Sequence, residues 1–366
     1  MVARDGSLAG VVAQALDLRD LPFDLLAVDV RGAAFLGCTF ASAEIEGALV
    51  TRGALVFGRF ADLPYDPYRT DLYTPDSLLA GNGRSEGGDD ETTLDFGVWR
   101  HYTESGGPTP NVLEALAQRL HDHAIDDALG DIIGETIDDR LRSSIVAIMG
   151  GHSTKRSCPW LARTAEVAQR LARRGFLVVT GGGPGTMEAA NLGAYLADAS
   201  DDDLRWALNE LVRRRARRSP GYSESARRVR DRFAPGHENL AIPTWFYGHE
   251  PSNLFSTRIA KYFSNSLRED GLLAIALHGI VFAPGSAGTV QEIFQDNAQN
   301  KYLTFGYRSP MAFLGRERWC RSGASIYEVL RAEARDYAEF LTVSDDPEEI
   351  VDFIRQHPPA RAPRAG

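Results

Sequence analysis

Residues 176–191 read FLVVTGGGPGTMEAAN: an apolar, β-branched run, then a block of glycine and proline, then small helix-forming residues. A short apolar run that stops at glycine is the pattern of a strand buried on both faces, and the glycine block after it is a turn that opens a helix. The same unit recurs outward along the chain. Ser144 to Met149 (SIVAIM) runs into Gly150-Gly151, with a helix expected over 159–174. Leu240 to Tyr247 reads as a third strand and residues 252–268 as a helix. His278 to Ala283 is a fourth strand, ending at Pro284-Gly285 and followed by a helix from Thr289 to Asn300. Strand 310–314, helix 325–339, strand 341–344 and helix 347–356 complete the series. Strands alternating with helices predict right-handed βαβ crossovers, hence an α/β fold with a doubly wound, Rossmann-like parallel sheet over residues 143–356.

Residues 1–142 break this rhythm. They hold short strand-like pieces (LLAVDV, AAFLGCTF, GALVFGRF), a polar loop GNGRSEGGDDE, and helical stretches near 110–128 and 131–142. They predict an N-terminal extension of α+β character, without an evident repeat and without a role that its residues disclose. HPPARAPRAG at 357–366 predicts a disordered tail.

Composition narrows the function classes. A chain of 366 residues, 43% hydrophobic and 25% charged, is globular in type. The apolar stretch Leu272 to Ala283 is too short to span a bilayer and is interrupted by His278 and Gly279, and Met1 to Gly10 lacks a secretory core, so no membrane partner is expected. Cys38, Cys158 and Cys320 have no metal-ligand spacing and suit a reduced, cytoplasmic setting; no metal is expected. A net charge of −10 argues against a dedicated nucleic-acid binder. The nine arginines between Arg213 and Arg232 read as a solvated helix or, in a second reading, as a site for a polyphosphate effector. Three lysines, Lys155, Lys261 and Lys301, offer no recognisable pyridoxal-phosphate setting, and no cofactor is expected.

The glycine turns carry the chemistry. In an open parallel sheet a ligand sits beyond the carboxyl ends of the strands, where backbone N–H groups and helix N-termini favour an anion such as phosphate. Pro284-Gly285-Ser286-Ala287-Gly288-Thr289-Val290-Gln291-Glu292 offers free amides, a hydroxyl at Thr289 and a carboxyl one turn into the helix. Thr289-x-x-Glu292 also fits a capping box. In the second turn, Gly182, Gly183 and Gly185 approach the ligand, and Glu188 either binds a sugar hydroxyl or supports the helix start. Thr186 stands where a dinucleotide fingerprint needs its third glycine, and no P-loop motif is present. In the first of the three turns along the chain, Gly151, His152 and Ser153 are candidates for ligand contact, with a structural histidine as the alternative at His152.

Taken in order, GGHS, GGGPGTMEAAN and PGSAGTVQE resemble the Lonely Guy (LOG) family, often mislabelled as lysine decarboxylases. GGHS and GPGTMEA look especially like its bacterial nucleotide 5′-monophosphate nucleosidases. The resemblance covers residues 143–356. It implies a Rossmann-like homodimer or higher homo-oligomer that hydrolyses nucleoside 5′-monophosphates to free base and ribose 5-phosphate. By the family signature P-G-G-x-G-T-x-x-E, Gly285, Gly288 and Thr289 inherit the phosphate loop and Glu292 the catalytic carboxylate. Ser286 replaces the second glycine, which bears on substrate preference. The family's helix-borne arginine maps to Arg268 after a one-residue shift, with Arg258 as the second choice. A catalytically silent nucleotide-binding or sensor protein is the alternative from another class.

Overall fold

A computed structural model describes residues 7–80, 91–134, 144–213, 222–250 and 252–361. The chain begins with three parallel strands, β1 (Val12–Gln14), β2 (Ala34–Leu36) and β3 (Leu55–Phe57), in register Val12 to Ala34 to Leu55. Isolated bridges Ser7–Asp29 and Asp17–Thr39 extend the same stacking. These pairings are 22 or 21 residues apart, so the segment is a short solenoid. The expectation of no repeat is therefore corrected. Arg31-Gly32-Ala33 and Arg52-Gly53-Ala54 each open a rung and are followed by Gly37 and Gly58, giving R-G-A-x-x-x-G twice. Gly32 and Gly53 turn with φ of 69° and 92°, a region that disfavours side chains. Four matching residues in a window of seven, at a spacing filled by unrelated sequence, are too sparse to stand out by composition. AAFLGCTF and GALVFGRF do contain strands; LLAVDV contributes only the Asp29 bridge.

The main sheet contains β4 (Ile145–Met149), β5 (Leu177–Thr180), β6 (Leu240–Ala241), β7 (Arg258–Ile259), β8 (Ile280–Phe282), β10 (Met311–Leu314) and β11 (Leu341–Ser344). Their order is β11-β10-β8-β4-β5-β6-β7, and every pairing is parallel. The chain winds outward from β4 to one edge through β5, β6 and β7, then returns to β8 on the other side of β4. A doubly wound sheet results, with its switch point between β4 and β8. Every residue of β4, β8 and β10 is buried, as two covered faces require. On one face Val146, Ile148, Val281 and Leu314 pack on helices Pro159–Arg173 and Pro347–Gln356. The small residues of helix Thr186–Tyr195 have a packing reason: a Cβ on Gly193 would lie 2.0 Å from the Ala165 carbonyl oxygen of the neighbouring helix.

Two expectations fail between β5 and β8. The third strand stops at Ala241, where Pro243 cannot continue the ladder. The helix expected over 252–268 is mostly extended, and helix Asn265–Ile275 starts only after β7. Ile259 exchanges backbone bonds with Tyr73 (2.8 and 2.9 Å), and β7 pairs with β6. Tertiary pairing outweighs the apolar periodicity there. Helix 325–339 is also shorter than expected, Ile326–Glu333 followed by a 3-10 turn at Ala338–Phe340. Toward the end of the chain, β9 (Tyr307–Arg308) pairs with β12 (Ala360–Arg361), so part of the expected disordered tail is ordered; residues 362–366 lie outside the described set.

The first helix expected before the sheet runs longer, Val112–Ile133, while the second, expected at 131–142, falls mostly on residues 135–143, which lie outside the described set. The apolar core does not divide at residue 142. Tyr73, Val98, Ala117 and Ile125 share one buried cluster with Trp245, Phe263, Ile280 and Phe313 of the sheet domain, whereas the solenoid has its own cluster around Phe35 and Leu49. Lys261 Nζ donates to Asp95 Oδ1 at 2.7 Å, both side chains almost fully buried, and Trp245 Nε1 donates to the same oxygen at 2.8 Å. Among the described residues no helix is long and apolar enough to cross a membrane.

Candidate active site

Three neighbouring strands, β5, β4 and β8, end in glycine turns that backbone bonds tie together. The Gly151 amide donates to the Pro284 carbonyl (3.2 Å), and the Thr186 amide donates to the Gly151 carbonyl (3.1 Å). Gly185, with φ 69°, lies so close that a Cβ would meet the Gly151 carbonyl oxygen at 2.6 Å. Gly151, Gly182, Gly183, Gly185 and Gly285 are thus brought to one mouth, whereas the side chains of His152 and Ser153 stand exposed at its rim.

A buried amide network holds the central turn, and sequence reading gave no sign of it. The Thr180 hydroxyl donates to Asn191 Oδ1 (2.7 Å), and Asn253 Nδ2 donates to the same oxygen (2.8 Å) and to the Gly182 carbonyl (3.1 Å). Asn191 Nδ2 in turn donates to Asn239 Oδ1 at 2.8 Å. These residues are buried and fully engaged, so they fix the turn's shape rather than meet a ligand.

Helix Ala287–Tyr302 opens from the third turn with Ser286 as its N-cap, without a side-chain cap bond. Thr289 is therefore inside the helix, and the capping-box alternative for Thr289 and Glu292 does not form. The Thr289 side chain is buried over Gly285, where a Cβ would come within 2.1 Å of Oγ1. Ser286 and Gly288 are exposed, and Gly288 faces open space. One turn on, Glu292 is partly buried. Desolvation pushes its carboxyl up to about 7; the charge of Arg268 pulls it back and that of Glu269 pushes it further.

Arg268 reaches the same mouth from helix Asn265–Ile275. Its Nε donates to the Ile242 carbonyl (3.0 Å), and Nη2 lies 2.3 Å from where a Cβ on Gly181 would be. Arg268 thus lies under the central turn, and its charge acts on Glu292. Arg258 does not come to this site: it is exposed on β7, 3.7 Å from Glu238. The helix carrying Arg268 has no cap of its own from Ser264. Asp122, from helix Val112–Ile133, instead holds the approach to the helix by accepting from the amides of Phe263 (2.9 Å) and Ser264 (2.8 Å), the two residues just ahead of it. The N-terminal extension thereby acquires a positioning role that its own sequence did not reveal.

Glu188 is placed differently from a sugar-binding carboxylate. It is buried, paired with Arg156 through two bonds (Nε–Oε2 2.9 Å, Nη2–Oε1 2.5 Å), and accepts from the Tyr222 hydroxyl at 3.1 Å. Arg156 also donates to the Tyr222 carbonyl and the Ser225 hydroxyl, both at 3.0 Å, and its guanidinium lies over the Tyr222 ring. This bond set locks the first two turns to helix Tyr222–Arg232 of the arginine-rich insertion. Within that insertion Arg228 pairs with Glu210, Arg230 with Asp76 and Arg232 with Asp203, which agrees with a solvated, ion-paired helix; residues 214–221 lie outside the described set. Among the described residues no cluster of His, Cys, Asp and Glu could hold a metal.

Residues 143–200, which contain the first two turns, match the SLOG cluster4 family. No curated protein matches the chain. Similar solved structures include the Moco carrier protein of Chlamydomonas reinhardtii (15% identity over 59% of this chain and 97% of that one, TM-score 0.37). The molybdenum cofactor binding protein of Rippkaea orientalis is another (14% identity, 59% and 98%, TM-score 0.37), as is TM1055 (18%, 58% and 99%, TM-score 0.35). Over residues 143–200 this chain is thus similar to the SLOG cluster4 family, a LOG-like family.

Proposed function

We propose that the protein hydrolyses the N-glycosidic bond of nucleoside 5′-monophosphates. The observation that carries this reading is geometric: three glycine turns meet at one mouth, with Arg268 beneath the central turn and Glu292 one turn into the helix that opens there, its carboxyl raised by burial to about 7. The amides of 285–289 anchor the 5′-phosphate, and Gly182, Gly183 and Gly185 allow close approach of the sugar. As the C1′–N bond breaks, positive charge grows on the ribose, and ionised Glu292 stabilises it and orients the incoming water. The water oxygen bonds to C1′, and the base leaves with a proton. Arg268 holds phosphate or ribose. Phosphate binding orients the sugar, so nucleosides without phosphate are poor substrates. His152, Ser153 and Ser286 at the rim contact the ligand through their exposed polar groups. A homo-oligomer belongs to this reading, since Leu267 and Phe294 expose apolar surface on the helices that carry Arg268 and Glu292.

The test is chromatographic detection of base released from AMP, CMP, GMP and UMP. Glu292→Gln is expected to lose roughly 10²–10⁴-fold in rate. Undiminished release by the variant refutes the role of Glu292. Thermal stabilisation by a monophosphate without any base release would favour the silent binder.

A further inference from the structure

A cavity of about 680 Å³ adjoins the third turn on the side away from Arg268, lined by Trp160, Glu317, Arg318 and Arg321. It is continuous with the anion loop: Arg318 Nε donates to the Gly285 carbonyl at 3.0 Å. Gly315 draws its walls together, since a Cβ there would lie 3.1 Å from Pro284 and 3.5 Å from the Trp160 ring. An indole, two guanidinium groups and a carboxylate form an unusual set for a surface recess. Indole offers an apolar platform to a base, arginine recognises phosphate, and a carboxylate accepts from sugar hydroxyls or exocyclic amines. The volume is in the range of small-molecule sites. Arg321 and Glu317 are exposed, and no ion pair is formed by either among the described residues, so both are placed to receive a ligand.

We infer that this cavity is a second nucleotide subsite. Its occupant is a base-plus-phosphate unit, either the far half of a dinucleotide whose near phosphate sits on residues 285–289 or a separate nucleotide. The dinucleotide form rests on the phosphate-loop reading above. The subsite itself does not require hydrolysis.

Isothermal titration calorimetry on the full chain separates the possibilities, with AMP and diadenosine 5′,5′-pyrophosphate as probes and Trp160→Ala and Arg321→Ala as variants. The dinucleotide is expected to bind once per chain and about tenfold more tightly than AMP, from one added stacked base. Either substitution should bring it down to the level of AMP while leaving AMP unchanged. Two AMP sites per chain, one of them lost in each variant, would identify a separate nucleotide as the occupant and support the subsite. Equal binding of both probes, insensitive to both substitutions, overturns the inference and leaves the phosphate loop standing. Trp160-dependent dinucleotide binding without AMP binding would instead refute the loop reading and keep the subsite. Failure of both probes to bind overturns both.

Discussion

Lowering the pH from 8 to 6 should slow base release roughly tenfold, because the proposed chemistry needs Glu292 ionised. Burial raises its midpoint from 4.5 to about 7, so ionisation costs about 3 kcal/mol more than in water. The ionised fraction is then roughly nine-tenths at pH 8 and roughly one-tenth at pH 6, which predicts an approximately tenfold fall in kcat/KM. Initial rates at low AMP concentration, between pH 5.5 and 8.5, measure it. The neighbours supply an internal check. Glu269→Gln removes a charge that raises the midpoint and should shift the profile to lower pH; Arg268→Gln should shift it upward in whatever activity survives. A profile flat between pH 6 and 8, or a Glu269→Gln shift in the upward direction, refutes the reasoning. The same group acts on stability with a definite sign. Its folded midpoint lies above the unfolded one, so its stabilising share is complete below about pH 4.5 and is lost as pH rises through about 7.

Two further predictions concern buried charge. Arg156→Ala leaves the Glu188 carboxylate buried without its ion partner and should destabilise the protein by about 3–5 kcal/mol in urea unfolding. The double replacement Arg156→Met with Glu188→Leu should recover much of that loss; equal damage in both variants would show that the pair's charge is not the cause. Asp296 is buried with Oδ2 unpartnered, and desolvation pushes its carboxyl up to about 8. Wild type should therefore lose stability as pH rises from about 4 through about 8, whereas Asp296→Asn should be spared that share and be the more stable protein at pH 9, by up to about 6 kcal/mol. Parallel pH profiles for the two proteins would contradict it.

How much a sequence discloses depends on the range of the interactions involved. β4, β5, β8 and their turns are local patterns of apolar runs ended by glycine, and they were legible residue by residue. Helix Pro347–Gln356 was equally plain, with Asp346 capping it and proline at its first position. β7 was not, because Arg258–Ile259 becomes a strand only through partners at Tyr73 and β6. Glu188 looked available from its place in GPGTMEA, but its occupation by Arg156 depends on a contact across 32 positions. Asn253 and Asp122 are ordinary polar residues in sequence. Their work comes from reaching a glycine carbonyl and a helix end over 71 and 141 positions, which no local pattern encodes.

The bonds from the Phe263 and Ser264 amides to Asp122 tie the geometry of the proposed site to helix Val112–Ile133, in the part of the chain ahead of the sheet. Under the proposed function, substitutions around Asp122 in helix Val112–Ile133 are expected to mimic catalytic lesions: the guanidinium would drift from its station while every residue of the glycine turns stayed intact. Variants in that helix that fold normally yet turn over slowly are best understood as errors of aim, transmitted along a single rigid rod.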